Sequence, residues 1–597
     1  MTASGRRKRR SGKKAADRPL GWLKPYAPAY MRWAIPSWAC LLGEVLVDLS
    51  LPTLMASIVN VGILRNDTAY TLRIGGIMLA IALSGAVLGN FRNVFSTRAS
   101  QDLGTSLRGD LFRRTQALSL ASLRRFGTAT TITRITNDVM QVQNLSLMLT
   151  RMFLRAPLML VGGVVLAVSL NPGMAGILLA TIPILALLFA VRLRRGLPLF
   201  RKVQAALDRV NGVLREFLAG IRVVKVFHRT EFEAQRFDRA NRDLTDIGVK
   251  AARSMATIQP IILLVMNGSV LFLLWLGGVK VDSGGARVGD VMAFVTYFQQ
   301  ILQAVGMLSM IFTVFVRART SLTRIGEVFA EPEGMKEPAV PKAPERTGAV
   351  AMEGVDFAYA GASAPALSGI AFEVPAGLTC AVIGATGSGK STLVQLVQRF
   401  HDATAGSVRV DGQDVREFAS DELRRRVAIV PQHSVLFTGS LRENLLWGDA
   451  DATDEEISRA LAVAQAADFV GRMPEGLSTR IGQGGVNLSG GQKQRLSIAR
   501  ALLRRPSVLI LDDSTSAVDF ETERHLRAAL RAECAGMTVL LVAQRIHTVM
   551  EADTILVLDE GRLVQQGTHA ELLRTCDIYR EIYRSQVGLD VAGREAV

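Results

Sequence analysis

The sequence predicts a helical membrane domain followed by a soluble α/β domain, and three observations carry that prediction. Apolar runs of membrane-spanning length fill the chain up to about residue 316. After about residue 348 the pattern changes to short buried strands, glycine turns and amphipathic helices. Between the two, residues 331–346 hold four prolines among mixed charges, the composition of a linker. At 597 residues the chain exceeds what one core accommodates. The expected partition is a basic tail and interfacial elbow over 1–32, a six-helix transmembrane domain over 33–328, a linker over 329–347, the soluble domain over 348–590 and a short tail over 591–597.

Six spans are drawn at about 33–63, 72–91, 156–170, 173–191, 258–279 and 291–316. The third is short for a bilayer of roughly 30 Å, yet its helical pattern begins near Thr131, which predicts one helix rising out of the cytosol. Asn171-Pro172-Gly173 then predicts a tight external turn. The stretches between spans two and three, and four and five, are amphipathic with turn signals only near Phe126-Gly127 and Ala219-Gly220. They read as helices that run far into the cytosol and reverse at their tips. Residues 22–32, with prolines, tyrosines and tryptophans, suit an elbow on the inner leaflet.

The net charge of +17 and the run Arg6-Arg7-Lys8-Arg9-Arg10 would fit nucleic-acid binding, but the distribution speaks for membrane topology. Ten Arg or Lys fall in 92–155 and fifteen in 192–253, whereas the short loops opposite hold Arg65, Lys280 and Arg287. That asymmetry places the N-terminus and both long loops in the cytoplasm of a bacterial cell membrane and excludes nucleic acid as a partner. The basic run reads as a topology anchor on lipid headgroups. Cys40, Cys380, Cys534 and Cys576 have no metal-like or paired spacing, so a reduced compartment without a disulfide framework is expected. No cleavable signal is expected, since the first apolar stretch follows a charged leader and runs straight into a span.

Within the first span Glu44 and Asp48 are four apart and share a helix face. Intramembrane carboxylates are costly, so a cation or proton site is one reading; a hydrated cavity or a hydrogen-bonded neighbour is the other. Gln299, Gln300 and Gln303 with Met292, Met307 and Met310 could line an adaptable pocket or simply pack helices.

The soluble domain carries the chemistry. A strand-like 378–383 runs into Gly384-Ala385-Thr386-Gly387-Ser388-Gly389-Lys390-Ser391-Thr392 and then a helical pattern. This is a complete G-x-x-x-x-G-K-[ST] phosphate loop in the context the motif requires. Its glycines let backbone N–H groups converge on phosphate oxygens, Lys390 reaches the β and γ phosphates of ATP, and Ser391 offers a hydroxyl to Mg²⁺. Downstream, 507–511 reads as a buried strand ending in Asp512, placed to hold the magnesium shell.

Between these motifs stands Asn487-Leu488-Ser489-Gly490-Gly491-Gln492-Lys493-Gln494-Arg495, and here the chain resembles the ATP-binding cassette (ABC) family. That resemblance makes Ser489, Gly490, Gly491 and Gln492 the signature that caps the γ-phosphate of ATP on the opposite cassette, consistent with an anion site at a helix N-terminus. It further implies that Tyr359 stacks on adenine, unless it is a strand aromatic facing a neighbour. By the same resemblance Gln432 links Mg²⁺ to the membrane domain and Ser516-Ala517-Val518-Asp519 forms the inter-cassette loop. The membrane half resembles the exporters of this family that fuse six spans to one cassette: Arg125-Phe126-Gly127-Thr128 with 132–139 looks like their first cytosolic loop, and 218–225 like their second. Such a chain is half a transporter, so a dimer is implied.

Two positions depart from the family. Asp513 stands where hydrolytically competent members have the glutamate that orients or deprotonates water; it keeps the charge and loses a methylene. A displacement on the order of 1 Å costs on the order of a hundredfold in rate. Gln544 replaces their histidine; its amide can donate to the γ-phosphate but carries no imidazolium charge. His547, three residues later, is a candidate substitute. The resemblance then points to bacterial heterodimeric multidrug exporters: a degenerate site on Lys390, Asp512, Asp513 and Gln544 that holds ATP, and a signature lent to a homologous partner's hydrolytic site. The expected cargo is amphiphilic small molecules. Alternatives are a specific pump for lipid, siderophore or peptide, in either direction, or an ATP-sensing regulator without transport.

Overall fold

The computed structural model describes residues 21–335, 337–342, 344–533 and 535–587. The basic run at 6–10, Cys534 and the tail at 591–597 lie outside them. The chain divides into two compact units, one of residues 21–116 and 129–330, the other of residues 117–128 and 331–587 among those described.

In the first unit a 3₁₀ turn (Gly21–Tyr26) leads directly into α1 (Ala27–Ser57), which closes with a π-helical turn (Ile58–Ile63). The elbow expected over 22–32 is therefore shorter than anticipated. Pro28 sits in the first turn of α1, where a missing N–H breaks no bond, so helix begins at Ala27. Next come α2 (Thr68–Ala117), α3 (Leu120–Phe126), α4 (Thr128–Thr133), α5 (Val139–Met148), α6 (Arg155–Leu170), α7 (Pro172–Ala219), α8 (Ile221–Val226), α9 (Thr230–Ala256), α10 (Ile258–Asp282) and α11 (Val288–Ala330). Two π-helical turns (Arg134–Asp138 and Leu149–Phe153) join α4, α5 and α6, and the stretch from Thr128 to Leu170 is one long helix. The short third span is thus the outer end of a helix that starts far below it, as its pattern predicts.

Four described stretches are long and apolar enough to cross a membrane, Gly21–Ile63, Thr68–Ala117, Thr128–Leu170 and Pro260–Asp282, with a shorter apolar stretch at Pro172–Ile184. The expected turn at Asn171 forms: its side-chain oxygen accepts from Met174 N–H at 3.2 Å and caps α7. The reversal at 219–220 also forms, with α7 ending at Ala219 and Gly220 at its cap.

The core of this unit gathers on α11. Phe294, Phe298 and Ile301 are buried with Met174, Leu178 and Leu273, and on another side Ala293, Tyr297 and Ala304 pack with Leu41, Val45 and Leu49. Pro52 inside α1 has no N–H to give the carbonyl of Asp48, and the helix is repaired from outside. Gln300 Nε2 donates to Asp48 O at 3.1 Å, and the Tyr297 hydroxyl donates to Leu49 O at 2.6 Å. Gln300 therefore serves helix packing. Glu44 and Asp48 meet arginines: Arg92 lies 2.6 Å from Glu44, and Arg155 bridges Glu44 and Asp48, the latter at 2.8 Å. The neighbour-bonded reading of these carboxylates is what the fold provides.

In the second unit a four-stranded antiparallel sheet, ordered β2 (Leu367–Val374), β1 (Val350–Phe357), β4 (Ala405–Val410), β5 (Gln413–Asp414), accompanies a six-stranded sheet. The latter runs β12 (Arg562–Gly567), β11 (Thr554–Asp559), β3 (Thr379–Gly384), β10 (Thr538–Val542), β9 (Val508–Asp512), β6 (Val427–Val430). All its pairings are parallel except β11 with β12. β7 (Gly439–Ser440) pairs with β8 (Arg480–Ile481). The helices are α12 (Lys390–Val397), α13 (Ser420–Arg426), α14 (Leu441–Leu445), α15 (Asp454–Val463), α16 (Ala467–Gly471), α17 (Gly490–Leu503), α18 (Phe520–Glu533), α19 (Ile546–Val549), α20 (His569–Thr575) and α21 (Asp577–Val587). β3, β9 and β10 read as continuous apolar runs because helices cover both faces.

Residues 117–128, placed by the sequence within the 33–328 domain, group instead with this second unit. Ser119 caps α3, Gly334 N–H donates to Ala117 O at 2.8 Å, and Glu331 takes Ser122 Oγ at 2.6 Å and pairs with Arg125. Local helical periodicity is the same on both sides of residue 117, so only these partners mark the change.

Candidate functional site

In a parallel sheet, loops at the carboxyl ends of the strands form the ligand crevice. Here β3 opens into the phosphate loop, β9 ends at Asp512, β10 leads to Gln544, and β6 leads to Gln432. Tyr359, Thr386, Gly387, Lys390, Ser391, Thr392, Gln432, Asp512, Asp513 and Gln544 together line one cavity of about 330 Å³.

The loop is shaped by its glycines. Gly389 has φ +98°, and a Cβ there would stand 2.7 Å from Leu367 Cδ2 and 2.9 Å from Ala366 O. At Gly384 a Cβ would meet Leu558 O at 2.0 Å. The backbone can follow this path only without side chains at those points. Lys390 folds back, its Nζ donating to Gly384 O at 2.8 Å and Ala385 O at 2.7 Å. Burial holds its ammonium below the ordinary lysine range, opposed by the charges of Asp513 and Asp512.

Ser391 Oγ donates to Asp512 Oδ1 at 2.9 Å, so two hard oxygen donors stand side by side at the cavity wall. Asp512 is raised above the usual carboxylate range by burial, partly offset by Ser391 and reinforced by Asp513. No group of three or more metal-ligating His, Cys, Asp or Glu side chains occurs among the described residues. A hydroxyl plus one carboxylate fits Mg²⁺ held largely by nucleotide phosphates.

Asp513 carries φ +48°, a left-handed conformation that aspartate tolerates better than most side chains. Its N–H donates to Val542 O at 2.9 Å, which locks the turn to the end of β10. Asp513 Oδ2 accepts from Gln432 Nε2 at 3.0 Å and from Gln544 Nε2 at 3.4 Å. The two positions that depart from the family pattern are hydrogen-bonded to each other. Burial raises the Asp513 carboxyl, while the Gln432 bond and the charges of Arg545 and Lys390 pull it down.

Tyr359 donates or accepts at Thr392 Oγ1, 3.0 Å away, and its ring meets Phe357 and His401 edge-on. His401, buried at 6% exposure, thus supports the aromatic wall, which sequence motifs did not indicate. His547 does not stand in for the missing imidazole. It is absent from the cavity wall, lies edge-on to Phe520 and has its Nε2 3.9 Å from the buried Glu523 carboxylate. The helical turn of α19 aims it away from the phosphates.

The signature residues lie outside this cavity. Ser489 caps α17 in a reciprocal box with Gln492: Gln492 N–H donates to Ser489 Oγ at 3.3 Å, and Ser489 N–H to Gln492 Oε1 at 2.9 Å. A Cβ on Gly491 would stand 2.8 Å from Ala517 O, so the signature and the 516–519 loop pack through glycine. Gln494 fixes that loop through Ser516 and the N–H of Ala517, and Asp519 caps the next helix, accepting from Thr522 N–H at 2.9 Å.

A helical membrane unit followed by a phosphate-loop α/β unit defines a membrane-embedded nucleotide-binding protein. Residues 37–305 match the family model described as ABC transporter transmembrane region, and 367–516 the one described as ABC transporter. The chain belongs to the ABC transporter family. It is 39% identical over 96% of its length to the uncharacterized ABC transporter ATP-binding protein YfiB of Bacillus subtilis strain 168, 99% of which is covered. It is 34% identical to an ATP-dependent lipid A-core flippase of Pseudomonas fluorescens, covering 84% of this chain and 82% of that one. Among solved structures, a bacterial Atm1-family ABC exporter with ATP bound superposes with a TM-score of 0.76 at 27% identity, covering 95% of this chain and 99% of that one. The chain is a multi-pass membrane half-transporter of the exporter fold, with its nucleotide-binding domain in the cytosol.

Proposed function

We propose that this chain is one subunit of a heterodimeric exporter that moves amphiphilic small molecules, and that its own ATP site binds well and hydrolyses poorly. The observation that carries this reading is the mutual hydrogen bond of Asp513 and Gln544. The shortened carboxylate draws the amide toward itself, leaving no base at glutamate length and no imidazole at the γ-phosphate. Lys390 and the amides of 384–392 would hold the phosphates, Tyr359 the adenine, and Ser391, Asp512 and Gln432 the Mg²⁺, whose charge neutralises the phosphates when bound. The capped α17 N-terminus with Ser489, Gly490, Gly491 and Gln492, together with Asp519, would complete the site of a homologous partner that has its own glutamate and histidine. In this reading 33–328 forms the translocation path and 348–590 the cassette.

A lipid cargo is a second reading, favoured by the likeness to the relative named as a lipid A-core flippase. Vesicles containing this chain and its partner test both. ATP-dependent accumulation of an amphiphilic dye supports the first, movement of a labelled lipid between leaflets the second, and nucleotide binding with neither flux would remove the transport reading.

A further inference from the structure

Gln544 is held from behind by the far end of the chain. In α21, Gln586 Nε2 donates to the main-chain oxygen of Gln544 at 2.8 Å, and its Oε1 accepts the N–H of Ile546 at 2.7 Å. One amide side chain thus pairs with backbone on both sides of Arg545 and replaces the partner that the sheet would have supplied had β10 continued. The helix that carries it is anchored by the same loop. Tyr579 and Tyr583 are buried in a cluster with Ala543, Ile546 and Val549, so α21 packs on the segment that Gln586 grips. From the opposite side, Arg545 Nη2 donates to Ser516 O at 3.0 Å, and Arg527 Nη1 to His547 O and Thr548 O at 3.1 and 3.0 Å. The loop is therefore suspended between α21 and the segment that follows Asp513.

We propose that Gln586 is a positioning residue for nucleotide turnover: through its two bonds to the main chain, the C-terminal helix sets where the Gln544 amide stands against the γ-phosphate. The geometry leaves little else to do so. Gln544 bonds to the shortened Asp513 side chain only at 3.4 Å, whereas its backbone is held at 2.8 Å by Gln586. A shift of α21 along its axis would move Gln544 directly. This rests on the reading of Gln544 as the γ-phosphate contact.

The test measures how long the purified full-length chain in nanodiscs retains radiolabelled Mg–ATP after dilution, with melting temperature alongside. Gln586→Met keeps the side-chain length and removes both bonds; Gln586→Glu keeps the acceptor for Ile546 N–H and loses the donor. The expected result is retention shortened about fivefold by Gln544→Ala, comparably by Gln586→Met and less by Gln586→Glu, with no further loss in the Gln544→Ala/Gln586→Met pair. Were Gln586→Met to fail to fold, Gln586→Glu makes the same comparison. Additive losses, or a lowered melting temperature with retention intact, would overturn the positioning role while leaving Gln544 in place. Unchanged retention in Gln544→Ala would instead overturn the γ-phosphate reading, and this inference with it.

Discussion

Asp513 sits in a left-handed turn, under-solvated and shared between two amides. Its ionisation is therefore unfavourable in the folded chain relative to the unfolded one. With a folded pKa above the unfolded value, the stability linked to this carboxyl is present at low pH and is lost as pH rises through the folded value. Asp513→Asn should accordingly raise the melting temperature of the nucleotide-free chain at neutral pH, with the gain shrinking as pH falls toward the usual carboxylate range. Thermal shift across that range checks it; a constant gain would show a pH-independent packing effect. The chemical counterpart is restoration: Asp513→Glu with Gln544→His should raise the chain's own ATPase rate on the order of tenfold or more over either single change. Phosphate release from the isolated chain measures this, and equal rates in all four would remove the degenerate-site explanation.

At the scale of elements, sequence pattern was a sound guide to where helices and strands lie and a poor one to what each end touches. The outer span 156–170 was correctly traced into the cytosol because the period of its apolar residues continues to Thr128. The elbow was overextended, since its prolines were taken to exclude helix when one occupies a first-turn position. The carboxylates on α1 were read as either a transport site or neighbour-bonded groups. α2 and α6 supply the arginines, and no spacing within α1 could have named them. Arg155→Met should destabilise the protein by roughly 3–5 kcal/mol by leaving half-buried charge unpaired, and Glu44→Gln with Asp48→Asn added should recover part of it. Unfolding in detergent reads both. In the cassette, Ser489→Ala removes a cap and costs about 1 kcal/mol of local stability. If its anion site serves the partner, ATPase of the coexpressed pair should fall at least about tenfold while ATP binding to this chain's own cavity stays unchanged.

For the whole molecule, a half-transporter of the exporter fold functions through a second set of spans and a second cassette. The division of labour proposed here makes a measurable asymmetry. ATPase activity of the coexpressed pair should survive Asp513→Asn within about twofold and collapse by roughly a hundredfold or more when the partner's glutamate is removed. Comparable losses from the two would mean two working sites. Topology is set by the basic loops at 92–155 and 192–253, which keep the tips and the cassette on one side of the bilayer.

By itself the sequence determined the order of the two domains, their sidedness, the phosphate loop, the signature and the two altered residues. These are properties of local pattern: hydrophobic length, charge asymmetry, and residues whose chemistry is fixed by neighbours a few positions away. Tertiary structure decided that Asp513 and Gln544, thirty-one positions apart, bond to each other, that His547 turns to Glu523, that 117–128 joins the second unit, and that Gln586 grips Gln544 from forty-two positions downstream. Each depends on strands that end side by side or helices that pack across long loops. Such contacts leave no period or motif in the chain, because what selects them is the burial of surfaces that meet only after folding.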